Sequence, residues 1–474
     1  MLLSIRTVEF MMALTCWLYS PYQVVRRRLR VAVPAEVSRH ISTWKKRIEK
    51  QQAIEETVVQ YTAEDVSHLN ERLYVWGFSA TGALGIKSYL RPGVKQTHLS
   101  FMHRPARLKF FDEQHLKIGH VACGYGFTLF QSSLQGSSVL LGTGINTDSQ
   151  IGCYQMQKDS DRFLDYIIEP TNIEIPFLHQ TKTKIIGMAG GRAHTIILTD
   201  QEGVFSLGNN SFGQCGRPIV ETEKYRGSST ITKIRHLPDN IKEVVCGQDH
   251  TFFLTQSGEV YSCGLSSDGQ TGLGHYKNVS QATQVKGDIE GVNIKQIACS
   301  GDCVLALSDE GDVFGWGNSE YNQLALITDH TQVHTPKHFK LSASLGKITQ
   351  VASGGSICGF LNASGEVFTW GFGILGRGPK VQSSTVPTKL PTPLFGANEL
   401  DPAKTVVSLK CGIYHFAALT NRGDLYTWGK NKQGYLGLGD RNDQFFPLRV
   451  SMPVEVINVW CGVDHMVAHC RAFS

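Results

Sequence analysis

From Leu73 onward, short runs of alternating apolar and small or polar residues are separated by Gly-containing breaks. Val204–Leu207, Val260–Cys263, Val313–Trp316, Val367–Trp370 and Leu425–Trp428 are rich in β-branched and aromatic residues, a composition that predicts strands. Each follows a turn pair: Glu202-Gly203, Ser257-Gly258, Glu310-Gly311, Ser364-Gly365 or Arg422-Gly423. Those pairs predict hairpins with a preceding strand, among them His194–Thr199, His250–Thr255, Val304–Ser308 and His415–Thr420.

Two marks punctuate these runs. The first is Trp-Gly or its substitute, at Trp76-Gly77, Leu141-Gly142, Leu207-Gly208, Cys263-Gly264, Trp316-Gly317, Trp370-Gly371 and Trp428-Gly429. The second is Cys-Gly or its substitute, at Cys123-Gly124, Gly190-Gly191, Cys246-Gly247, Cys299-Ser300, Ser353-Gly354, Cys411-Gly412 and Cys461-Gly462, spaced 50 to 67 residues apart. A unit this small cannot bury both faces of its own sheet, so neighbours must stack, and seven such units close radially. The ordered part begins with a third-strand element, Leu73–Trp76, and ends with the two strands that precede it elsewhere, Val456–Cys461 and Met466–Cys470. The expectation is an all-β, seven-bladed β-propeller over residues 71–470, closed by strands from both termini, with no free sheet edge.

Charge separates residues 1–70 from this body. Residues 1–52 hold ten Lys or Arg against three acids, a balance of +7; the whole chain is +5, which leaves about −2 for the rest. The apolar stretch Phe10–Leu18, the cluster Arg26-Arg27-Arg28-Leu29-Arg30 and the absence of acids between Glu9 and Glu36 fit a mitochondrial targeting segment. Val37, Ile41, Trp44 and Ile48 then recur at helical spacing among basic residues, which reads as a basic amphipathic helical linker: the tail of the targeting segment, a contact with the inner-membrane surface, or a helix packed on the propeller rim. Twelve cysteines with no Cys-x-x-Cys pair suit buried free thiols in a reducing compartment.

The string Cys246-Gly247-Gln248-Asp249-His250-Thr251, followed by Ser257-Gly258-Glu259-Val260-Tyr261-Ser262-Cys263-Gly264, resembles the repeat of the regulator of chromosome condensation family. Within that family, Tyr74-Val75-Trp76-Gly77-Phe78, Trp316-Gly317-Asn318-Ser319-Glu320-Tyr321 and the Arg-rich N-terminus are most similar to the mitochondrial member. The resemblance implies residence in the mitochondrial matrix and at the inner membrane. It also implies guanine-nucleotide exchange on a dynamin-like inner-membrane fusion GTPase, and a part in assembling the large mitoribosomal subunit and its rRNA. A ribosome-assembly scaffold without exchange activity is the alternative. Carried onto matching positions, the partner-binding residues would be His194, Asp249, His250, Asp302, His415, Asp464 and His465, although Phe127, Cys303 and Ile357 break the pattern.

Other motifs imitate chemistry. Gly371-Phe372-Gly373-Ile374-Leu375-Gly376 has dinucleotide-fingerprint spacing, but Arg377-Gly378-Pro379 opposes the helix such a site requires. The Cys/His pairs 246/250, 411/415 and 461/465 fall in different repeats, so they do not converge on one metal. The repeated histidines suggest a local structural task in each unit, not a catalytic centre. No cofactor, small-molecule substrate or enzymatic reaction is expected. Lys87, Arg91, Lys95, Arg104, Arg107 and Lys109 lie among Phe101, Phe110 and Phe111, a mixture suited to RNA phosphates and bases. The insertion Tyr154–Pro176 carries Asp159, Asp161 and Asp165 and could face a basic protein.

Overall fold

The computed structural model describes residues 71–90, 98–134, 137–157 and 161–471; residues 1–70, expected to be a targeting and linker segment, lie outside the described residues. Seven antiparallel four-stranded sheets form the blades of one ring. Blades 1 to 6 run in chain order: Lys117–Asn172, Ile185–Lys233, Ile241–Gln284, Ile294–His338, Ile348–Lys389 and Val406–Arg449. Blade 7 joins the C-terminal strands Glu455–Cys461 and His465–Arg471 to Glu71–Phe78 and Phe101–Arg107. Glu71–Phe78 pairs antiparallel with His465–Arg471, placing Leu73 opposite His469 and Gly77 opposite His465. The ring is sealed as the sequence predicts.

Burial follows strand order. Second strands such as His194–Thr199 and His250–Thr255 are buried along their whole length, because neighbouring blades cover both faces. The first strands pack near those of the next blade around the axis, and amides bridge some of their edges. The Gln296 side chain both donates to and accepts from the Val351 backbone at 3.0 Å; Gln350 does the same for Val407 and Leu409. Backbone groups at these sheet edges are thereby satisfied without water.

Six of the seven seams between blades centre on one buried backbone carbonyl, which the next blade reaches in one of two ways. Thr128, Thr195 and Thr251, second residues of the second strands in blades 1 to 3, donate their hydroxyls to the carbonyls of Ala83, Gln150 and Gln214 at 2.7–2.8 Å. Trp316, Trp370 and Trp76, from the third strands of blades 4, 5 and 7, donate indole N–H groups to Gln270, Gln323 and Tyr435 at 2.8–2.9 Å. The alternatives are reciprocal. Opposite the threonines stand Thr143, Leu207 and Cys263; opposite Trp316, Trp370, Trp428 and Trp76 stand Val304, Cys358, Phe416 and Met466. A large indole on the third strand fills the volume and makes the bond, and an apolar residue then faces it. Gly437 permits the approach, since a Cβ there would lie 2.8 Å from the Trp76 indole nitrogen.

The structure corrects one mark. In blade 1 the counterpart of Trp-Gly is Thr143-Gly144, not Leu141-Gly142, because Gly144 pairs with Phe127 as Gly264 pairs with His250. Its φ is +117° and a Cβ would fall 2.4 Å from the Gly126 carbonyl oxygen, so glycine is needed there. With this correction the loop after the mark spans nine residues in six blades, for instance Gly264–Gly272 and Gly429–Gly437; in blade 5 it spans six, Gly371–Gly376.

Candidate interaction face

The loop joining first to second strand and the loop after the third strand meet on one face of the ring. In every blade the residue following the mark's glycine donates its N–H to the residue preceding the second strand: Leu265 to Asp249, Asn318 to Asp302, Lys430 to Tyr414, and Phe78 to Asp464. The two loops therefore move as one, and the face is rigid at its base.

The four carried-over histidines do not reach this face. His194, His250, His415 and His465 are fully buried, so their imidazoles offer nothing to a partner; His194 and His465 bond across seams instead. The single hydroxyl proton of Thr251 goes to Gln214, so His194 Nε2 must be the donor to Thr251 Oγ1 at 3.0 Å. Likewise His465 Nε2 donates to Thr128 Oγ1 at 2.8 Å, while its Nδ1 lies 2.8 Å from Asp464 Oδ1. Where the next blade supplies no hydroxyl the ring is stranded. The strand positions that match Thr251 and Thr128 are Val304 in blade 4 and Met466 in blade 7, and neither His250 nor His415 has a hydrogen-bond partner. Burial lowers the pKa of His194, His250 and His415 to about 3, helped by the neighbouring charges of His250 and Arg192 at His194, and of His465 at His415.

The carried-over acids do lie at the face, sunk to different depths. Asp249 is nearly buried beneath the half-exposed Arg192, which pairs with it bidentately. Burial raises its pKa, and Arg192 opposes the rise. Asp302 is the more accessible: Gln248 and Gln270 donate to it at 3.0 and 3.3 Å, and His250 Nδ1 stands 3.8 Å away, beyond hydrogen-bond reach. Burial, then the negative charges of Asp268 and Asp249, push its carboxyl up to about 6. Asp464 is largely covered and engaged with His465.

The sequence reading missed Arg192 and Tyr125. Both occupy the first variable position after the Cys-Gly-type mark, and variation inside an otherwise repetitive loop was the available signal. Tyr125 reaches from blade 1 across the axis to donate to the Ser300 carbonyl of blade 4 at 2.7 Å, and Ser300 Oγ donates to Cys411 O of blade 6 at 2.9 Å. The hub is closed at this end. Among the described residues no three His, Cys, Asp or Glu side chains gather as metal ligands, and no helix begins after Gly371–Gly376.

The basic stretch is divided. Lys87 pairs with Glu169 at 2.8 Å and Arg107 with Asp112 at 3.0 Å, whereas Arg104 and Lys109 are exposed and have no acid partner among the described residues. Arg91 and Lys95 lie outside the described residues. Phe111 is buried against Phe130, Phe110 packs on Phe111, and Arg441 covers Phe101 at 4.7 Å. The rings serve the core and the rim, so they do not interleave with free cations as the RNA reading expects. Asp165 is neutralised by Arg226 of blade 2 at 2.7 Å, which staples the acidic insertion down.

The description "Regulator of chromosome condensation (RCC1) repeat" matches residues 70–131, 201–254, 257–307, 310–361, 364–419 and 422–469. The chain belongs to the regulator of chromosome condensation repeat family. It is 48% identical over 88% of its length to the mouse "RCC1-like G exchanging factor-like protein", covering 90% of that protein. The crystal structure of human WBSCR16 is 46% identical, covers 85% of this chain with all of its own, and superposes with a TM-score of 0.79. Yeast RCC1 (Prp20), 19% identical with a TM-score of 0.69 over 96% of this chain and 97% of its own, shares the fold. At that identity the likeness is one of fold alone.

Proposed function

We propose that this chain is a non-enzymatic interaction protein of the guanine-nucleotide exchange type, which engages a GTPase through the face built by its paired loops. The observation that carries the reading is the polar network over blades 2 to 4, where Arg192, Asp249, Gln248 and Asp302 are held by one another on a rigid base. The printed name of the mouse relative supports it. Exchange needs polar groups placed to displace the metal and phosphate contacts inside the partner, so no catalytic residue or cofactor is required of the propeller itself. The Arg-rich, acid-poor N-terminus supports import into mitochondria, where a dynamin-like inner-membrane fusion GTPase is the partner we favour. Assembly of the large ribosomal subunit is the second role; Arg104 and Lys109 remain free for phosphate contact.

The test is release of fluorescent GDP from that GTPase in the presence of the full chain. Acceleration is expected, reduced about tenfold by Arg192→Ala, with a thermal melt verifying that the variant is folded. Failure of the wild-type chain to accelerate release, with ribonuclease-sensitive and salt-steep retention on mitoribosomal RNA, would replace exchange by RNA assembly.

A further inference from the structure

The shortened loop of blade 5 leaves a cleft whose aromatic wall the exchange reading does not use. Because Gly371–Gly376 lacks three residues present in every other blade, the face opens there into a cleft of about 530 Å³ between the loops of blades 4, 5 and 6. Its walls are held by backbone: Ser356 Oγ donates to Phe372 O at 2.7 Å and Gln323 Nε2 to Gly355 O at 3.1 Å. Tyr321 and Phe372 stack across one side, centroids 5.5 Å apart and 17° from parallel, and both are about half exposed. Tyr414 is exposed on the opposite side. Exposed aromatic rings lining one rigid concavity mark a recognition surface more strongly than scattered apolar residues do.

Charge narrows the occupant. Three carboxylates, Asp302, Glu320 and Asp443, line the cleft against one ammonium, Lys430. That ammonium already sits over the Tyr414 ring at 4.7 Å, and Glu320 is exposed with no ion-pair partner among the described residues. The negative balance repels phosphates and nucleic acid, while ring faces and a free carboxylate attract guanidinium and ammonium groups. The volume holds two or three side chains but is too open and polar to enclose a small metabolite. We propose that this cleft is a docking groove for a protein partner's peptide segment, which inserts an aromatic side chain between Tyr414 and the Tyr321–Phe372 pair and places a flanking Arg or Lys against Glu320. The groove shares Gln248 and Asp302 with the exchange network but does not include the Arg192–Asp249 pair, and its occupant does not depend on the exchange reading.

The probe is a fluorescently labelled pentapeptide, Gly-Arg-Trp-Lys-Gly with blocked ends, titrated against the full chain by anisotropy. Saturable binding at about 10–500 µM is expected, about tenfold weaker for Phe372→Ala and for Glu320→Lys. Both residues are exposed, and a thermal melt verifies that each variant is folded. Arg192→Ala should bind the peptide normally, so loss of exchange and loss of peptide binding are separable. The proposal is overturned if binding is absent up to about 1 mM, if Gly-Glu-Trp-Glu-Gly binds equally well, if replacing the peptide's Trp with Ala changes nothing, or if both variants bind like wild type.

Discussion

Blades 1 to 3 and blades 4 to 7 solve the same problem with different chemistry. In the first group a threonine hydroxyl on the second strand closes the seam; in the second an indole on the third strand takes that place. The threonine solution leaves an acceptor on its oxygen, so a histidine from the preceding blade can add a second bond, as at His194–Thr251 and His465–Thr128. The tryptophan solution fills more volume but offers no such acceptor, and His250 and His415 are left without partners. The comparison teaches that a repeat unit can be conserved in geometry while the residue providing each contact changes, provided that its cross-strand neighbour changes with it.

The two solutions should differ most in what truncation costs. Trp316→Ala is expected to destabilise by about 3–5 kcal/mol through cavity formation and a stranded Gln270 carbonyl. Thr251→Val, nearly the same shape, should cost about 1–3 kcal/mol by stranding Gln214 O and His194 together. Urea unfolding would measure both, and equal costs would dissolve the distinction.

A finer contrast lies within the tryptophan group. Trp428 Nε1 has no acceptor, because the shortened blade 5 loop does not present one as its counterparts do. Trp370→Phe should cost about 1–3 kcal/mol, since Gln323 O loses its donor, whereas Trp428→Phe should cost less than about 1 kcal/mol. Comparable losses would show that the bond at Trp370 contributes little.

The smallest effect is the pH dependence. His194, His250 and His415 have folded pKa values near 3 against about 6.5 for an unperturbed imidazole, so between those limits the unfolded chain binds more protons and stability falls on acidification. Each should contribute roughly 0.5–1 kcal/mol of loss between pH 7 and pH 6. Asp302 acts in the opposite sense: its raised folded pKa of about 6 means that the folded chain holds the extra proton, so its contribution falls as pH rises from about 4 through 6. Denaturation at the two pH values, repeated with His415→Phe, should show a shallower slope in the variant.

The ring, its blade number and its closure were legible because strand runs, turn pairs and two glycine-linked marks repeat in step, and the ends of the chain supply complementary halves of one blade. The blade 1 mark was misplaced by two residues because Leu141-Gly142 looks like the pattern, whereas pairing with Phe127 selects Thr143-Gly144. The face was harder to read. A histidine repeated beside a loop looks the same in sequence whether it points outward or into the next blade; only the identity of residues such as Thr251 or Val304, over fifty residues away from His194 or His250, decides what it meets. The pairing of Lys87 was hidden for a similar reason, since Glu169, which neutralises it, becomes its neighbour only in the fold.

The Tyr125 phenol spans the ring to the Ser300 carbonyl, tying the first blade to the fourth along a diameter. A push on one side of the disc can therefore be felt on the far side without passing through the sheets between them. Whatever settles on this surface also meets a stoppered centre, so it can grip the disc but cannot thread it.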